Sequence, residues 1–353
     1  MRSFLMPTAG VVCLFALAVT GCSAESGATS DAAPPAAGRT GGSGSASPSP
    51  GDGSTSPATA AGTSYAPYVS AAEASDTDSA GSPTAYNLAF VISRGSACTP
   101  TWNGVNAIGD PVVTSRVSKL TKTGATARVS FGGASGAELA ASCDSVSALA
   151  RAYGQALDAA GSAQADFDVE GDELTDADSV DLRSRAIAAL QKERPDLEVS
   201  FTLPVMPSGL DADGLALLAS ANKYDVQVAT VNLMTMNYGE SYAADMGGYA
   251  IASATAAQAQ LRKVFGTTDA DAWKGMALTS MIGTNDVAGE TFSLADAAQV
   301  RAFAVRKGIS WVSMWSTFRD RQCSAADSAK DDALTNCSGV KQSPGAFAQA
   351  FSK

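Results

Sequence analysis

The chain has 353 residues, 45% hydrophobic and 17% charged, enough for one large domain with a sizeable core. Its formal charge of −11 argues against nucleic acid or an anionic membrane surface as partner, because both are bound through basic patches. There is no histidine, which excludes Ser-His-Asp and Cys-His catalysis and histidine zinc sites, and leaves acid–base chemistry to carboxylates, Tyr, Lys or Cys.

Residues 1–21 read as an export signal. Arg2 precedes an apolar stretch over 11–19 that is too short to span a bilayer. The stretch ends Val19-Thr20-Gly21-Cys22, which resembles a bacterial lipobox with Cys22 as the lipidated residue. The protein is then expected on the extracellular face of the cell membrane, lipid-anchored, or secreted. Residues 22–64 form a linker: of the 42 residues after Cys22, 38 are Ala, Gly, Ser, Thr or Pro. Such a segment cannot bury enough apolar surface to offset chain entropy, so it is expected to be a disordered tether. Four cysteines remain in the rest of the chain: Cys98, Cys143, Cys323 and Cys337. Export favours two disulfides among the three pairings that four cysteines allow. Nearest-neighbour pairing, Cys98–Cys143 and Cys323–Cys337, is the expectation, the second bond adding roughly 3 kcal/mol in the chain-entropy model.

Residues 65–353 show eight short apolar or β-branched runs, at 65–69, 87–92, 125–131, 164–169, 197–203, 226–236, 275–281 and 309–315. Helical periodicity separates most of them, for example over 137–159, 176–193, 243–264 and 294–305, with Thr175 or Asp176 as N-cap of the second. Alternating strands and helices imply parallel strands joined by crossover helices. Eight repeats predict closure into a (β/α)8 TIM barrel. An open doubly wound sheet is the alternative, disfavoured because no G-x-G-x-x-G follows the first strand.

The fourth strand ends Asp166-Phe167-Asp168-Val169-Glu170. Residues two apart share a strand face, so the three carboxylates line one face and Phe167 and Val169 pack on the other. Inward carboxylates at this spacing raise one another's pKa, which keeps at least one protonated near neutrality as a general acid. The C-terminal end of a barrel strand is where barrel active sites sit. Mg²⁺ or Ca²⁺ binding by the same carboxylates is the less favoured reading.

At these residues the chain resembles glycoside hydrolase family 18, the chitinases and their relatives. Asp166-x-Asp168-x-Glu170 is similar to the end of the family's D-x-x-D-x-D-x-E signature, and Ser130-Phe131-Gly132-Gly133 to its S-x-G-G motif. Met234-Thr235-Met236-Asn237-Tyr238 is similar to its M-x-Y-D region, and Trp315 to the tryptophan that floors its sugar site. Thr202-Leu203-Pro204, Asn285-Asp286 and Met314-Trp315-Ser316 look like a bacterial secreted branch. Two departures stand out. Ala163 takes the place of the first signature Asp, and Met236 and Asn237 take the Tyr and Asp slots, leaving Tyr238 two residues along from Met236 to supply the phenol.

The resemblance implies hydrolysis of β-1,4-linked N-acetylglucosamine polymers, chitin or its oligosaccharides, with retention and substrate assistance, an exception to the two-carboxylate scheme. Glu170 is then the acid and base, Asp168 orients the substrate's acetamido group, Asp166 holds Asp168, and Tyr238 donates to the acetamido oxygen. Trp315, Tyr68 and Trp102 are candidate sugar platforms. Met234, Met236, Asn237, Asn285 and Asp286 are candidate substrate contacts, and Ser130 is expected to orient Asp166. No metal or cofactor is needed, and a monomer is expected. An endo-β-N-acetylglucosaminidase acting on glycans and a non-catalytic glycan-binding lipoprotein are the alternatives.

Overall fold

The computed structural model describes residues 62–324 and 332–353. The export signal, Cys22 and the linker up to residue 61 lie outside the described residues. The chain divides into Met1–Pro57 and Ala58–Lys353, and the second unit holds every described residue.

Its strands are β1 (Ser64–Tyr65), β2 (Tyr68–Ser70), β3 (Ala85–Arg94), β4 (Ala97–Trp102), β5 (Asn106–Ala107), β6 (Thr126–Gly132), β7 (Gln164–Asp168), β8 (Glu198–Pro204), β9 (Val228–Met234), β10 (Met276–Met281), β11 (Gly283–Thr284), β12 (Thr291–Phe292) and β13 (Trp311–Trp315). The helices are α1 (Pro111–Thr121), α2 (Leu139–Ser142), α3 (Val146–Ala160), α4 (Asp172–Thr175), α5 (Ala177–Glu193), α6 (Ala212–Lys223), α7 (Met246–Phe265), α8 (Asp269–Lys274), α9 (Leu294–Lys307) and α10 (Ala346–Ser352).

β1 and β2 are two pieces of one strand, interrupted at Ala66-Pro67. β1 pairs with β13 and β2 with β3, both in parallel, and this closes the ring. Around it run β3, β6, β7, β8, β9, β10 and β13, each parallel to the next. All eight predicted strand positions fall on this ring. Ser64, read as linker, is instead the first residue of β1, hydrogen-bonded through its amide to Ser310 at 3.0 Å. β4 and β5 fold back on β3 as an antiparallel extension, and β11 with β12 makes a separate hairpin above β10.

Alternation along the strands builds two layers. Phe131, Phe167 and Phe201 share one register across β6, β7 and β8 and face outward under the helices. Phe131 and Phe167 stack with centroids 5.2 Å apart, and Tyr153 of α3 meets Phe131 edge-on at 4.8 Å. Full burial of such side chains contributes roughly 1.5–3 kcal/mol each. The residues between them, Ser130, Asp166, Asp168, Ser200 and Thr202, therefore point into the barrel.

Helix starts follow local chemistry. Asp176 caps α5, accepting from the Asp178 amide, and Ser293 and Asp296 form a capping box on α9. The single helix predicted over 137–159 is two helices, because Cys143 leaves α2 in extended conformation and Ser145 then caps α3. Cys143 is bonded to Cys98, which ties the β3–β4 hairpin to this break, and Cys323 is bonded to Cys337. Both pairings are those expected from the sequence.

Candidate active site

Gly132 ends β6 beside the carboxylate strand, and Gly133 follows it. Gly132 has φ +100°, and a Cβ there would lie 2.2 Å from the Asp168 carbonyl oxygen, so only glycine fits. The Gly133 amide donates to that same carbonyl at 3.0 Å.

Asp166 lies at the bottom of the site, fully buried and surrounded by hydroxyls. Its Oδ2 accepts from Ser130 Oγ at 2.6 Å and Tyr68 Oη at 2.9 Å. Its Oδ1 accepts from Ser200 Oγ at 2.7 Å and Thr202 Oγ1 at 2.8 Å. Thr202 in turn accepts from Asn232 Nδ2 at 2.9 Å, and Asn232 Oδ1 accepts from Thr279 Oγ1 at 2.9 Å. A directed chain of donors thus runs from β10 through β9 and β8 to Asp166.

Asp168, one strand period above, is buried, and its Oδ1 has no hydrogen-bond partner among the described residues. Burial raises its carboxyl well above the ordinary range, and the charges of Glu170, Asp166 and Glu138 add to this. Glu170 follows the strand end and is half-buried. Burial first, and the Asp286 carboxylate second, push it up to about 7. A carboxyl poised there can both give and take a proton near neutrality.

Glu170 lies where two cavities meet. One, of about 370 Å³, is lined by Tyr68, Phe90, Asp168, Glu170, Met234, Met236, Asn237, Asp286 and Trp315, among others. The second, of about 280 Å³, continues past Glu170 along Pro204, Met206, Asp211, Met234 and Met236. Trp315 forms an aromatic wall with Phe90, stacked at 5.4 Å, and Tyr68, edge-on at 5.9 Å. A larger groove of about 760 Å³ lies between α3 and α5 on the outer face, away from the strand ends, and the carboxylate strand does not reach it.

Several residues named from the sequence sit elsewhere. Tyr238 is 4% exposed and faces α7, where Ser253 Oγ donates to its hydroxyl at 3.3 Å. β9 ends at Met234, and Asn237 then adopts φ +54°, so the two-residue alternation stops before Tyr238. Trp102 is 1% exposed and donates its indole N–H to the Ile108 carbonyl at 3.1 Å, inside the β3–β5 extension. Asn285 is 2% exposed, and its Nδ2 donates to the Met281 and Gly283 carbonyls at 2.9 and 3.0 Å. Ser130, expected to orient Asp166, is buried beneath the cleft and does donate to its carboxylate.

Other cleft residues had no signal in the sequence. Phe90, Ile92 and Asn103 come from β3 and the turn after β4. The Phe90 amide donates to Asn103 Oδ1 at 3.0 Å, so the hairpin fold-back places them together. Asn237 and Asp286 form a clasp: Asn237 Nδ2 donates to Asp286 Oδ2 at 3.1 Å, and the Asp286 amide donates to Asn237 Oδ1 at 3.0 Å.

No family model matches the chain. Over 249 residues it is 34% identical to the "Probable bifunctional chitinase/lysozyme" of Escherichia coli (strain K12), covering 67% of this chain and 28% of that protein. Over 248 residues it is 33% identical to Endochitinase 11 of Metarhizium anisopliae, covering 67% of this chain and 47% of that protein. The chain therefore spans less than half the length of either curated relative. Among solved structures, the catalytic domain of a hyperthermophilic chitinase from Pyrococcus furiosus matches with TM-score 0.71 and 28% identity, over 81% of this chain and 93% of that one. Catalytic-site mutants of that chitinase's active domain 2, complexed with chito-oligosaccharides, match with the same score and identity, over 81% of this chain and 92% of that one. A GH18 chitinase from Pseudoalteromonas aurantia shares the fold at TM-score 0.53 and 12% identity, over 72% of this chain and 94% of that one. The barrel is thus similar in sequence to two named chitinases and in fold to the catalytic domain of a third.

Proposed function

We propose that the chain hydrolyses β-1,4-linked N-acetylglucosamine in chitin or its oligosaccharides, with Glu170 as acid and base. The observation that carries this reading is Glu170 at the junction of two cavities, held near about 7, with Asp168 buried directly behind it. A glycosidic bond laid across that junction presents its oxygen to Glu170. The sugar on the Trp315 side then stacks on the aromatic wall and turns its 2-acetamido group toward Asp168. The substrate's carbonyl oxygen attacks the anomeric carbon as Glu170 protonates the leaving oxygen. Asp168 Oδ1, with no hydrogen-bond partner among the described residues, accepts the acetamido N–H and so orients the attacking carbonyl. Water then attacks the anomeric carbon, breaking its bond to the acetamido oxygen and regenerating the acetamido group, while Glu170 takes the water's proton. Asp166, locked by its hydroxyls, keeps Asp168 in place. Tyr238 has no part in this scheme, and the tyrosine lining the cleft, Tyr68, gives its hydroxyl hydrogen to Asp166.

The substrate reading is supported by the Pyrococcus furiosus chitinase, whose mutants were complexed with chito-oligosaccharides. We also propose that the chain is exported and anchored through Cys22, on the strength of the lipobox-like sequence ahead of the linker. The test is to incubate the chain with chitotetraose and follow product anomers over time. The β-anomer should form first, and Glu170→Gln should lose turnover while still binding the oligomer. A mutant cleaving at the wild-type rate would refute the assignment of the acid.

A further inference from the structure

Two loops above the barrel meet at the cleft edge. One is 235–239, leaving β9; the other is 285–290, the tip of the β11–β12 hairpin. They are joined at two points. The outer one is the clasp of Asn237 with Asp286, extended by the Val287 amide donating to Asn237 Oδ1 at 3.4 Å. The inner one is Glu290, a carboxylate that the reaction does not use. Glu290 is completely buried, and its Oε1 accepts from the Gly239 amide at 2.8 Å.

The surroundings of Glu290 form a receptacle for an anion. Asn237 has φ +54° and Gly239 φ +119°, and such left-handed residues turn successive amides to one side of the chain. The amides of Asn237, Tyr238 and Gly239 all favour the charged form of Glu290 against the effect of burial. The turn 237–239 thus curls around the protein's own carboxylate, with the Gly239 amide on Oε1 and no partner for Oε2 among the described residues. Asp286 leaves the same hairpin tip four residues earlier, so whatever fixes the turn also fixes Asp286.

We propose that Glu290 is a positioning residue that holds the 237–239 turn, and through the Asn237 clasp keeps the Asp286 carboxylate facing Glu170. This rests on the functional reading above, and adds a part of the molecule that neither the signature motif nor the cleft lining reveals. The groups facing Glu170 are Asp168 from β7, Asp286 from the hairpin tip, and Asp211 across the smaller cavity. Asp286 also feels the buried Arg319 guanidinium, whose Nη1 donates to the Trp315 carbonyl at 3.2 Å. Of these carboxylates, the charge of Asp286 adds to burial in favouring the protonated acid. Releasing Asp286 lets Glu170 ionise at lower pH, and the alkaline limb of the rate profile follows it down.

The test compares Glu290→Ala, Glu290→Gln and Asp286→Asn in the full chain. Two quantities are read: kcat/KM against pH on chitotetraose, and hydrogen exchange of peptides covering 235–239 and 285–290. Glu290→Ala should move the alkaline limb down by about one pH unit, as far as Asp286→Asn does, with no further shift in the double mutant. It should also raise exchange in both loops. Glu290→Gln keeps an acceptor for the Gly239 amide and should hold both quantities close to wild type. An unmoved limb in Glu290→Ala or in Asp286→Asn overturns the proposal. So does a Glu290→Gln limb as low as that of Glu290→Ala with exchange unchanged, because the charge would then act through space. If the wild type fails to cleave chitotetraose, the functional reading falls, and exchange alone decides whether Glu290 holds the two loops.

Discussion

Replacing Glu170 by Gln separates what the acid does in catalysis from what it costs the fold. Burial and Asp286 carry its carboxyl from 4.5 to about 7. An acid whose pKa is higher in the folded than in the unfolded chain binds its proton more tightly when folded. Stability therefore falls as pH rises between those two values, and the whole loss is present above the upper one. At about 1.4 kcal/mol per pH unit, the loss comes to roughly 3 kcal/mol. Gln resembles the neutral carboxyl at every pH. Glu170→Gln should therefore match the wild type near pH 4 and exceed its stability by up to about 3 kcal/mol at pH 8, with turnover abolished. Urea denaturation at the two pH values measures this. Taking the difference between them cancels whatever the amide does to local packing. A mutant whose advantage is the same at pH 4 and pH 8 would refute the reasoning, because Glu170 would then titrate alike in both states.

Two further substitutions test where the structure places residues that the sequence misassigned. Tyr238→Phe should leave kcat within about twofold of wild type and lower stability by about 1 kcal/mol, the worth of its bond with Ser253. Asn285→Ala should lower the thermal midpoint while changing KM little, since two buried carbonyls lose their donor, at about 1–3 kcal/mol in all. Thermal denaturation and initial rates on chitotetraose check both.

The barrel was legible because each strand carries a short apolar or β-branched run, and because carboxylates alternate with Phe167 and Val169 from β7 to just past its end. That alternation also put Asp166 and Asp168 on the inner face of β7, where the structure has them, with Glu170 just past the strand end. It misled at the sixth barrel strand. Read as extended over 226–236, the segment puts Tyr238 on the face of Met234 and Met236. The strand ends at Met234, the left-handed Asn237 follows, and Tyr238 turns into the α7 core. Trp102 and Asn285 failed for a related reason: an aromatic ring or an amide can serve a loop as well as a ligand. Phe90 and Asn103 were invisible because a hairpin fold-back brings them together, and Glu290 because its partners are backbone amides of another loop.

The three carboxylates differ chiefly in the donors around them, and this suggests where the site is most sensitive. Asp166 accepts from four hydroxyls, while one oxygen of Asp168 accepts from none among the described residues. Thr202 is the point to disturb. Thr202→Val removes a donor to Asp166 Oδ1 and the acceptor of Asn232 Nδ2 at 2.9 Å, cutting the chain that begins at Thr279. Both groups are buried, so stability should fall by about 1–3 kcal/mol. On the proposed scheme, loosening Asp166 displaces Asp168 slightly, which should lower kcat by about ten- to a hundredfold. KM should change less, because Trp315 and Phe90, stacked on each other at 5.4 Å, stay in place. Steady-state kinetics on chitotetraose decide the matter. A kcat within twofold of wild type would show that three hydroxyls hold Asp166 as well as four, and that the donor chain across β8, β9 and β10 serves the fold alone.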